Sequence, residues 1–116
     1  MIWKELTDEG QLETIKAESK QTPTLIFKHS TRCSISNMAK GRLDNMADTD
    51  SATFYYLDLL RHRSVSDKVA TEFNVHHESP QLLLIADGEC VYEESHNGII
   101  PAEILIEIAQ RVQKTA

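Results

Sequence analysis

A cysteine stands at the junction of a strand pattern and a helix pattern, and this junction constrains the fold more than any other feature of the sequence. The apolar run Leu25–Phe27 has the composition of a buried strand and is followed by a short polar turn. Cys33 comes next, at the start of a helical pattern, where unpaired backbone N–H groups and the helix dipole favour a thiolate. The sequence therefore predicts a reactive thiol at a strand-to-helix turn. The predicted buried face of the helix consists of Ile35, Met38, Ala39, Leu43 and Met46.

The size and charge of the chain narrow the class of protein. We expect one domain over residues 1–116, because a domain of this length can bury enough surface without disulfides or metal. The 18 acidic residues exceed the 12 basic ones, and the net charge of -6 argues against binding to nucleic acid or to an anionic membrane. No apolar run reaches the roughly 20 residues that span a bilayer, and the N-terminus lacks the apolar core of a signal peptide. We therefore expect a cytoplasmic protein.

The two cysteines, Cys33 and Cys90, are too few for a disulfide framework and are expected to be free in a reducing compartment. The five histidines show no spacing typical of a zinc site, so no metal centre is predicted. Cys90 follows the turn signal Asp87-Gly88 and is predicted to lie opposite Ile85. A small apolar residue of the sheet is the simplest interpretation of Cys90, and a distant resolving thiol is the alternative.

The order of predicted elements gives the fold class. It is α/β, with a mixed four- or five-stranded sheet between helices, because strand-helix-strand units pair in parallel and the late hairpin pairs antiparallel. A loop is predicted at 48–51. The predicted strands are 25–27, 53–59, 81–86 and 89–93, with a short extended segment at 2–3. The predicted helices are 8–19, the helix after Cys33, one capped by Ser64 or Ser66 that ends near Asn74, and one opening at Pro101 with Ile104, Leu105, Ile108 and Val112 buried.

This arrangement is similar to the thioredoxin fold, a three-layer α/β/α sandwich, over nearly the whole chain. Residues 27–36 read Phe-Lys-His-Ser-Thr-Arg-Cys-Ser-Ile-Ser. They resemble the motif of the monothiol bacilliredoxins, the YtxJ-like general stress proteins linked to bacillithiol, which runs approximately Phe-Lys-His-Ser-x-x-Cys-Pro-Ile-Ser. The sequence departs from that motif at Ser34, where the family has proline, and this substitution adds an N–H and a hydroxyl beside Cys33.

The resemblance implies thiol-disulfide exchange at a single cysteine. In dithiol relatives the second cysteine of Cys-x-x-Cys attacks the mixed disulfide formed on the first, and Ser36 at that position cannot do so. The implied reaction is removal of a small-thiol cap from a client protein by Cys33. Bacillithiol or another low-molecular-weight thiol is then a co-substrate, and no bound cofactor is implied.

The resemblance also implies which residues surround the thiol. In this fold a cis-proline faces the active cysteine, and the backbone of the preceding residue pairs with the substrate; Ser79-Pro80 stands at the matching place. Arg32 is expected to stabilise the thiolate or to attract an anionic thiol. Lys28 and His29 are expected to alternate on the strand, one facing inward or towards the site and the other away, with His29 expected to be structural. The predicted substrate-binding residues are Thr31, Arg32, Ser34, Ser36, Ser79 and Pro80, and His76 and His77 are predicted to be loop residues near the site.

Other functions are compatible with the same residues. One is a peroxide-reactive thiol protein in which Cys33 is oxidised to a sulfenic acid. Another is a non-catalytic adaptor that binds partners through the face around Pro80. A glutaredoxin-like protein that binds an iron–sulfur cluster is disfavoured, because Ser34-Ile35 stands where those proteins have Gly-Phe. The oligomeric state is expected to be a monomer or a weak dimer.

Overall fold

The computed structural model describes residues 2–46 and 51–115, and the side chains up to residue 111. The predicted loop at 48–51 therefore lies largely outside the described residues, as does the side chain of Val112. The elements, in chain order, are β1 (Lys4–Glu5), α1 (Gln11–Glu18), β2 (Thr24–His29), α2 (Ser34–Asp44), β3 (Thr53–Asp58), α3 (Arg63–Glu72), β4 (Gln81–Ala86), β5 (Glu89–Ser95), a 3-10 helix (His96–Gly98) and α4 (Pro101–Thr115).

The five strands form one mixed sheet in the order β1-β3-β2-β4-β5. β3 pairs in parallel with β1 and β2, whereas β4 is antiparallel to β2 and β5 is antiparallel to β4. The predicted α/β class with a mixed sheet is therefore confirmed. The described part of the chain has no helix that is both long and apolar enough to cross a membrane.

Helices cover both faces of the sheet, so the central strands β2 and β4 are buried along their whole length. This is why both read as continuous apolar runs rather than alternating ones. One core layer joins the sheet to α1 and α3 through Leu12, Ile15, Ile26, Leu57, Val65, Val69, Phe73, Leu83 and Ile85. The other joins it to α2 and α4 through Leu25, Phe27, Ala39, Leu43, Phe54, Leu82, Leu84, Ile104 and Ile108.

The N-terminal elements begin later than predicted. The strand is Lys4–Glu5 rather than residues 2–3, and Lys4 pairs with Tyr55 at the sheet edge. Helix α1 begins at Gln11 rather than near residue 8, because the Gln11 side-chain oxygen accepts hydrogen bonds from the backbone N–H groups of Thr7 and Asp8, at 2.7 and 3.0 Å. Those two residues form a turn ahead of the helix.

Helix α3 begins earlier than predicted, so its predicted serine cap is wrong. His62 is the N-cap residue, and Ser66 lies fully buried within the helix. The earlier start follows from Asp58 at the end of β3, whose carboxylate accepts hydrogen bonds from the N–H groups of Leu60 and Arg61 at 3.1 and 3.4 Å. This turn brings the chain into the helix at Arg63.

The β4–β5 hairpin confirms both the predicted turn and the predicted register. Asp87 and Gly88 have φ values of 55° and 78°, the left-handed region that two-residue hairpin turns require. Ile85 pairs with Cys90 as predicted, although a bulge lies beside Ile85. The Gly88 N–H also donates a hydrogen bond to the Ser19 hydroxyl at 2.8 Å. The hairpin turn is thereby attached to the end of α1.

The predicted buried face of α2 is partly wrong. Ile35 and Met38 are 43% and 63% exposed. Ser36 is buried instead, and with Ala39, Leu43 and Met46 it forms a stripe at the spacing of one helix face. The buried stripe therefore begins with a serine, and two apolar residues beside the cysteine face solvent. Helix α4 begins at Pro101 as predicted, with Ile104 and Ile108 buried.

Candidate active site

Cys33 is the N-cap residue of α2 and is half-buried. Its backbone is extended, with φ −104° and ψ 122°. Its N–H donates to the carbonyl of Ser30 at 3.1 Å, and its carbonyl accepts from the N–H of Asn37 at 2.9 Å. The first N–H groups of a helix have no acceptor within the helix, and Cys33 adjoins these groups at the N-terminus of α2. The predicted strand-turn-helix geometry around Cys33 is thus present.

Ser36, three residues after the cysteine, is engaged inside the protein. Its hydroxyl oxygen accepts a hydrogen bond from the Ser30 N–H at 3.0 Å and lies 2.7 Å from Nδ1 of His29. Ser36 has no exposed surface, so its contacts in this structure are internal, and a contact with substrate stays a prediction. The hydroxyl joins the end of β2 to the first turn of α2, which fixes the turn that presents Cys33.

His29 has the structural environment that was expected for it. Its ring stacks on Phe27 at 5.6 Å between centroids and contacts Tyr56 at the same distance. Burial lowers the pKa of His29, and the charge of Lys40 lowers it further. A neutral imidazole with an unprotonated Nδ1 is an acceptor for the Ser36 hydroxyl. His29 therefore supports the active-site turn from the side of the sheet that α2 covers.

Lys28 is buried on the opposite face of the sheet from His29, so the two side chains alternate along β2 as expected. Both are buried because helices cover both faces of β2. Lys28 has no exposed surface, and its Nζ lies 3.1 Å from Nδ1 of His77. Burial lowers the pKa of Lys28 to about 8, against the opposing effect of the Asp67 carboxylate. Sequence reasoning missed this contact, because no local spacing joins positions 28 and 77.

The predicted substrate-binding residues gather at one end of the sheet. The Ser79-Pro80 peptide bond is cis, as the resemblance implied. Because Lys28 pairs with Gln81, Pro80 precedes β4 at the same end of the sheet at which the chain leaves β2 for Cys33. Ser79 is half-buried, and its hydroxyl oxygen has no hydrogen-bond partner among the described residues. Thr31, Arg32 and Ser34 are exposed on either side of Cys33.

Cys90 lies at the other end of the sheet from Cys33. It pairs with Ile85, which pairs with Thr24 at the start of β2, whereas Cys33 follows the end of β2. The two cysteines are therefore separated by about the length of β2, about 17 Å at about 3.3 Å per residue. A disulfide requires Cα atoms within about 7 Å. Burial raises the pKa of the Cys90 thiol, and its sulfur contacts the carbonyl of Tyr92, both consistent with a sheet residue.

No group of three or more His, Cys, Asp or Glu side chains within residues 2–46 and 51–111 is placed to hold a metal ion. The reactive side chain that the structure places at this end of the sheet is the Cys33 thiol. A nucleophilic sulfur at a helix N-terminus, next to exposed polar residues and a cis-proline loop, can exchange with a disulfide.

Comparison with known proteins gives one matching family and several matching structures. The family model described as monothiol bacilliredoxin BrxC matches residues 4–104. A solved structure described as a candidate oxidoreductase with a thioredoxin fold is 30% identical with a TM-score of 0.78, and the match covers 90% of this chain and 91% of that chain.

Two thioredoxins match at lower identity. The thioredoxin of Malassezia sympodialis is 16% identical with a TM-score of 0.74, covering 96% of this chain and 91% of that one. The thioredoxin of Fasciola hepatica is 17% identical with a TM-score of 0.71, covering 93% of this chain and 98% of that one. At these identities the likeness concerns the fold alone, and it confirms the predicted thioredoxin-like architecture.

Proposed function

Because the chain belongs to the monothiol bacilliredoxin family, a family of thiol-disulfide oxidoreductases, we propose that Cys33 removes a bacillithiol-type cap from cysteines of client proteins. The observation that carries the proposal is the half-buried Cys33 at the N-terminus of α2, with Ser36 in the place of a second cysteine. A thiol in this position can accept one partner and has no neighbouring cysteine to release it.

The proposed exchange conserves the number of disulfide bonds. The Cys33 thiolate attacks the sulfur of the small thiol in the client mixed disulfide, and a new S–S bond forms as the bond to the client sulfur breaks. The client sulfur leaves as a thiolate and takes a proton from water. The client cysteine is thereby reduced, and Cys33 carries the small thiol in its place.

Resetting Cys33 then requires a thiol from outside the chain. Cys90 is about 17 Å away by the spacing of residues along β2, too far to attack the new disulfide. A second small-thiol molecule would attack the cap as a thiolate, restore the Cys33 thiolate and leave as the small-thiol disulfide. The proposed co-substrate is therefore a small thiol kept reduced in the cytoplasm. No bound cofactor enters the cycle.

We assign the client contact to the exposed surface around Cys33. Ile35 and Met38 form an exposed apolar pair on α2, and a polypeptide that covers them gains apolar burial. The backbone of Ser79 is the proposed pairing partner for the client chain, with Pro80 beside it. Thr31, Arg32 and Ser34 are proposed to contact the cap, with the Arg32 guanidinium attracting an anionic small thiol. The protein would act as a monomer or a weak dimer.

Intact-mass measurement tests the proposal directly. The reduced protein is mixed with a client capped by bacillithiol and, separately, by glutathione. We expect a one-to-one small-thiol adduct on the wild type and on the matched control Cys90→Ser, none on Cys33→Ser, and more adduct from the bacillithiol cap. An adduct that persists in Cys33→Ser would refute the assignment. Absence of an adduct together with rapid loss of added peroxide would favour the peroxide-reactive alternative, and absence of both would favour the adaptor.

A further inference from the structure

A fully buried lysine lies beneath the loop that leads to Pro80. Lys28 is on the central strand β2 and pairs with Gln81, the residue that follows Pro80. Its side chain has no exposed surface, and its Nζ lies 3.1 Å from Nδ1 of His77 in the loop. The proposed exchange at Cys33 makes no use of this group. The contact nevertheless reaches the segment on which the proposed client chain docks.

Two strand side chains, those of Lys28 and Gln81, contact the loop at 75–80. The Gln81 amide nitrogen donates to the carbonyl of His76 at 2.9 Å, and the Gln81 side-chain oxygen accepts from the N–H of Glu78 at 3.4 Å. Lys28 holds the intervening residue, His77, through its ring. His77 is an exposed residue, so Lys28 contacts a surface side chain from within the core.

We propose that Lys28 is a positioning residue for client docking: its ammonium group donates a hydrogen bond to Nδ1 of His77 and thereby holds the loop at 75–80 in the arrangement that receives the client chain. This inference rests on the proposed function, since it presupposes that a client pairs with Ser79. A second consequence concerns the His77 ring. If Nδ1 accepts from Lys28, the proton of the neutral imidazole is on Nε2.

The charges around the pair are compatible with this assignment. Asp67 on α3 favours the charged form of Lys28, and Arg63 on the same helix and Glu78 on the loop act on His77 with opposite signs. Burial lowers the pKa of His77, and the charges of Lys28 and Arg63 lower it further. A neutral His77 next to a charged Lys28 is therefore the favoured state near neutral pH, and in this state the ammonium group is the donor and Nδ1 is the acceptor.

Nuclear magnetic resonance of the imidazole nitrogens tests the contact without any activity measurement. In the wild type we expect His77 to be the Nε2–H tautomer near neutral pH. In Lys28→Met we expect a mixture of tautomers and titration at a higher pH, because the neighbouring positive charge is gone. Lys68→Met, which removes an exposed lysine from α3, is the matched control and should leave the His77 signals unchanged. Unchanged tautomer and titration in Lys28→Met would overturn the proposal.

Kinetics separate positioning of the loop from a general defect at Cys33. We expect Lys28→Met to raise the KM for a capped client protein by about three- to tenfold, the range for losing one hydrogen bond, with kcat nearly unchanged. The rate with a small disulfide such as 2-hydroxyethyl disulfide, which has no chain to dock, should stay the same. His77→Ala, a change at an exposed residue, should raise KM equally, and the double variant should add nothing further.

Three results would contradict the role of Lys28. Additive effects of Lys28→Met and His77→Ala would mean that the two residues act separately. An equal loss of rate with the small disulfide would place the defect at Cys33 rather than at the loop. If the wild type itself took no cap from the client, the proposed function would fail and the docking role with it, while the imidazole signals would still report whether Lys28 contacts His77.

Discussion

Replacing Lys28 by methionine should stabilise the protein, and the gain should depend on pH. Lys28 has no exposed surface, and burial lowers its pKa to about 8 from an ordinary value of 10.5. Both the folded and the unfolded chain bind this proton below about pH 8, and above about pH 10.5 neither does. Between these values the unfolded chain binds more protons than the folded chain. The free energy of unfolding therefore rises as pH is raised from about 8 to about 10.5, and it falls again as pH is lowered towards 8. The charged lysine therefore costs most at neutral pH.

The size of this cost follows from the two pKa values. One pKa unit is equivalent to about 1.36 kcal/mol, so the difference between the two pKa values corresponds to a cost of about 3 kcal/mol. The cost falls by about 2 kcal/mol between about pH 6.5 and about pH 9.5. Methionine has a similar volume and no charge, and the lost hydrogen bond to the exposed His77 offsets about 1 kcal/mol. Lys28→Met should thus be about 2 kcal/mol more stable than the wild type near pH 6.5.

Urea unfolding measures this difference through the fluorescence of Trp3, which is the single tryptophan of the chain and packs against Phe27 and Phe54. The wild type and Lys28→Met are each unfolded at about pH 6.5 and about pH 9.5. Groups whose pKa is the same in both proteins cancel from the comparison, which leaves Lys28 itself and its neighbour His77. A Lys28→Met protein that is less stable at both values, or a difference that does not change with pH, would show that the buried ammonium is not destabilising. The argument from burial would then be wrong.

Three further changes have expected outcomes. Ser36→Ala should lower the free energy of unfolding by about 1–3 kcal/mol in urea titrations, because it removes the partner of the half-buried Ser30 N–H and of the buried His29 ring. Ile35→Ser combined with Met38→Ser should raise the KM for a capped client severalfold with little change in the unfolding midpoint, since both side chains are exposed. Gly88→Ala should cost about 1 kcal/mol in thermal unfolding, because φ at this position is 78°. An unchanged free energy of unfolding in Ser36→Ala would refute the first argument. An unchanged KM in the double serine variant would refute the second, and an unchanged thermal stability in Gly88→Ala would refute the third.

The elements that sequence reasoning located best are those with strong local signals. The apolar run of β4 and the Asp87-Gly88 turn specify a hairpin almost by themselves, and both were predicted with the observed register. Pro101 opens α4 because a proline at the first helical position gives up no needed hydrogen bond. In each case the physical cause lies within a few residues of the element.

The errors arise where a distant or polar partner decides the outcome. The predicted face of α2 is partly wrong because the apolar pattern includes Ile35 and Met38 and leaves out Ser36, whose hydroxyl finds partners at the end of β2. The start of α3 was set by the Asp58 carboxylate and not by a serine cap. An apolar pattern takes no account of such partners. The stripe Ser36, Ala39, Leu43 and Met46 also has the spacing of one helix face. It can be recognised as the buried face only once the hydrogen-bond partners of Ser36 are known.

The buried polar residues show where the protein departs from a simple apolar interior. Lys28, His29 and Gln81 lie at the end of the sheet from which the Cys33 turn and the Pro80 loop emerge, and Ser36 on α2 contacts His29 there. The described core has seven buried polar or charged residues, namely Ser19, Thr24, Lys28, His29, Ser36, Ser66 and Gln81. Four of the seven thus surround the candidate site.

A charged lysine in this place lowers the stability of a fold whose total is of the order of 5–15 kcal/mol, and an apolar side chain of the same size would not. Departures of this kind from an apolar core are expected at functional sites. Ser36 fixes the turn that presents Cys33, and Gln81 and Lys28 hold the loop before Pro80. The two segments that we propose contact a client are therefore each held by buried polar contacts. These contacts make the fold less stable than an apolar core would. In exchange, they hold the Cys33 turn and the Pro80 loop in a defined geometry.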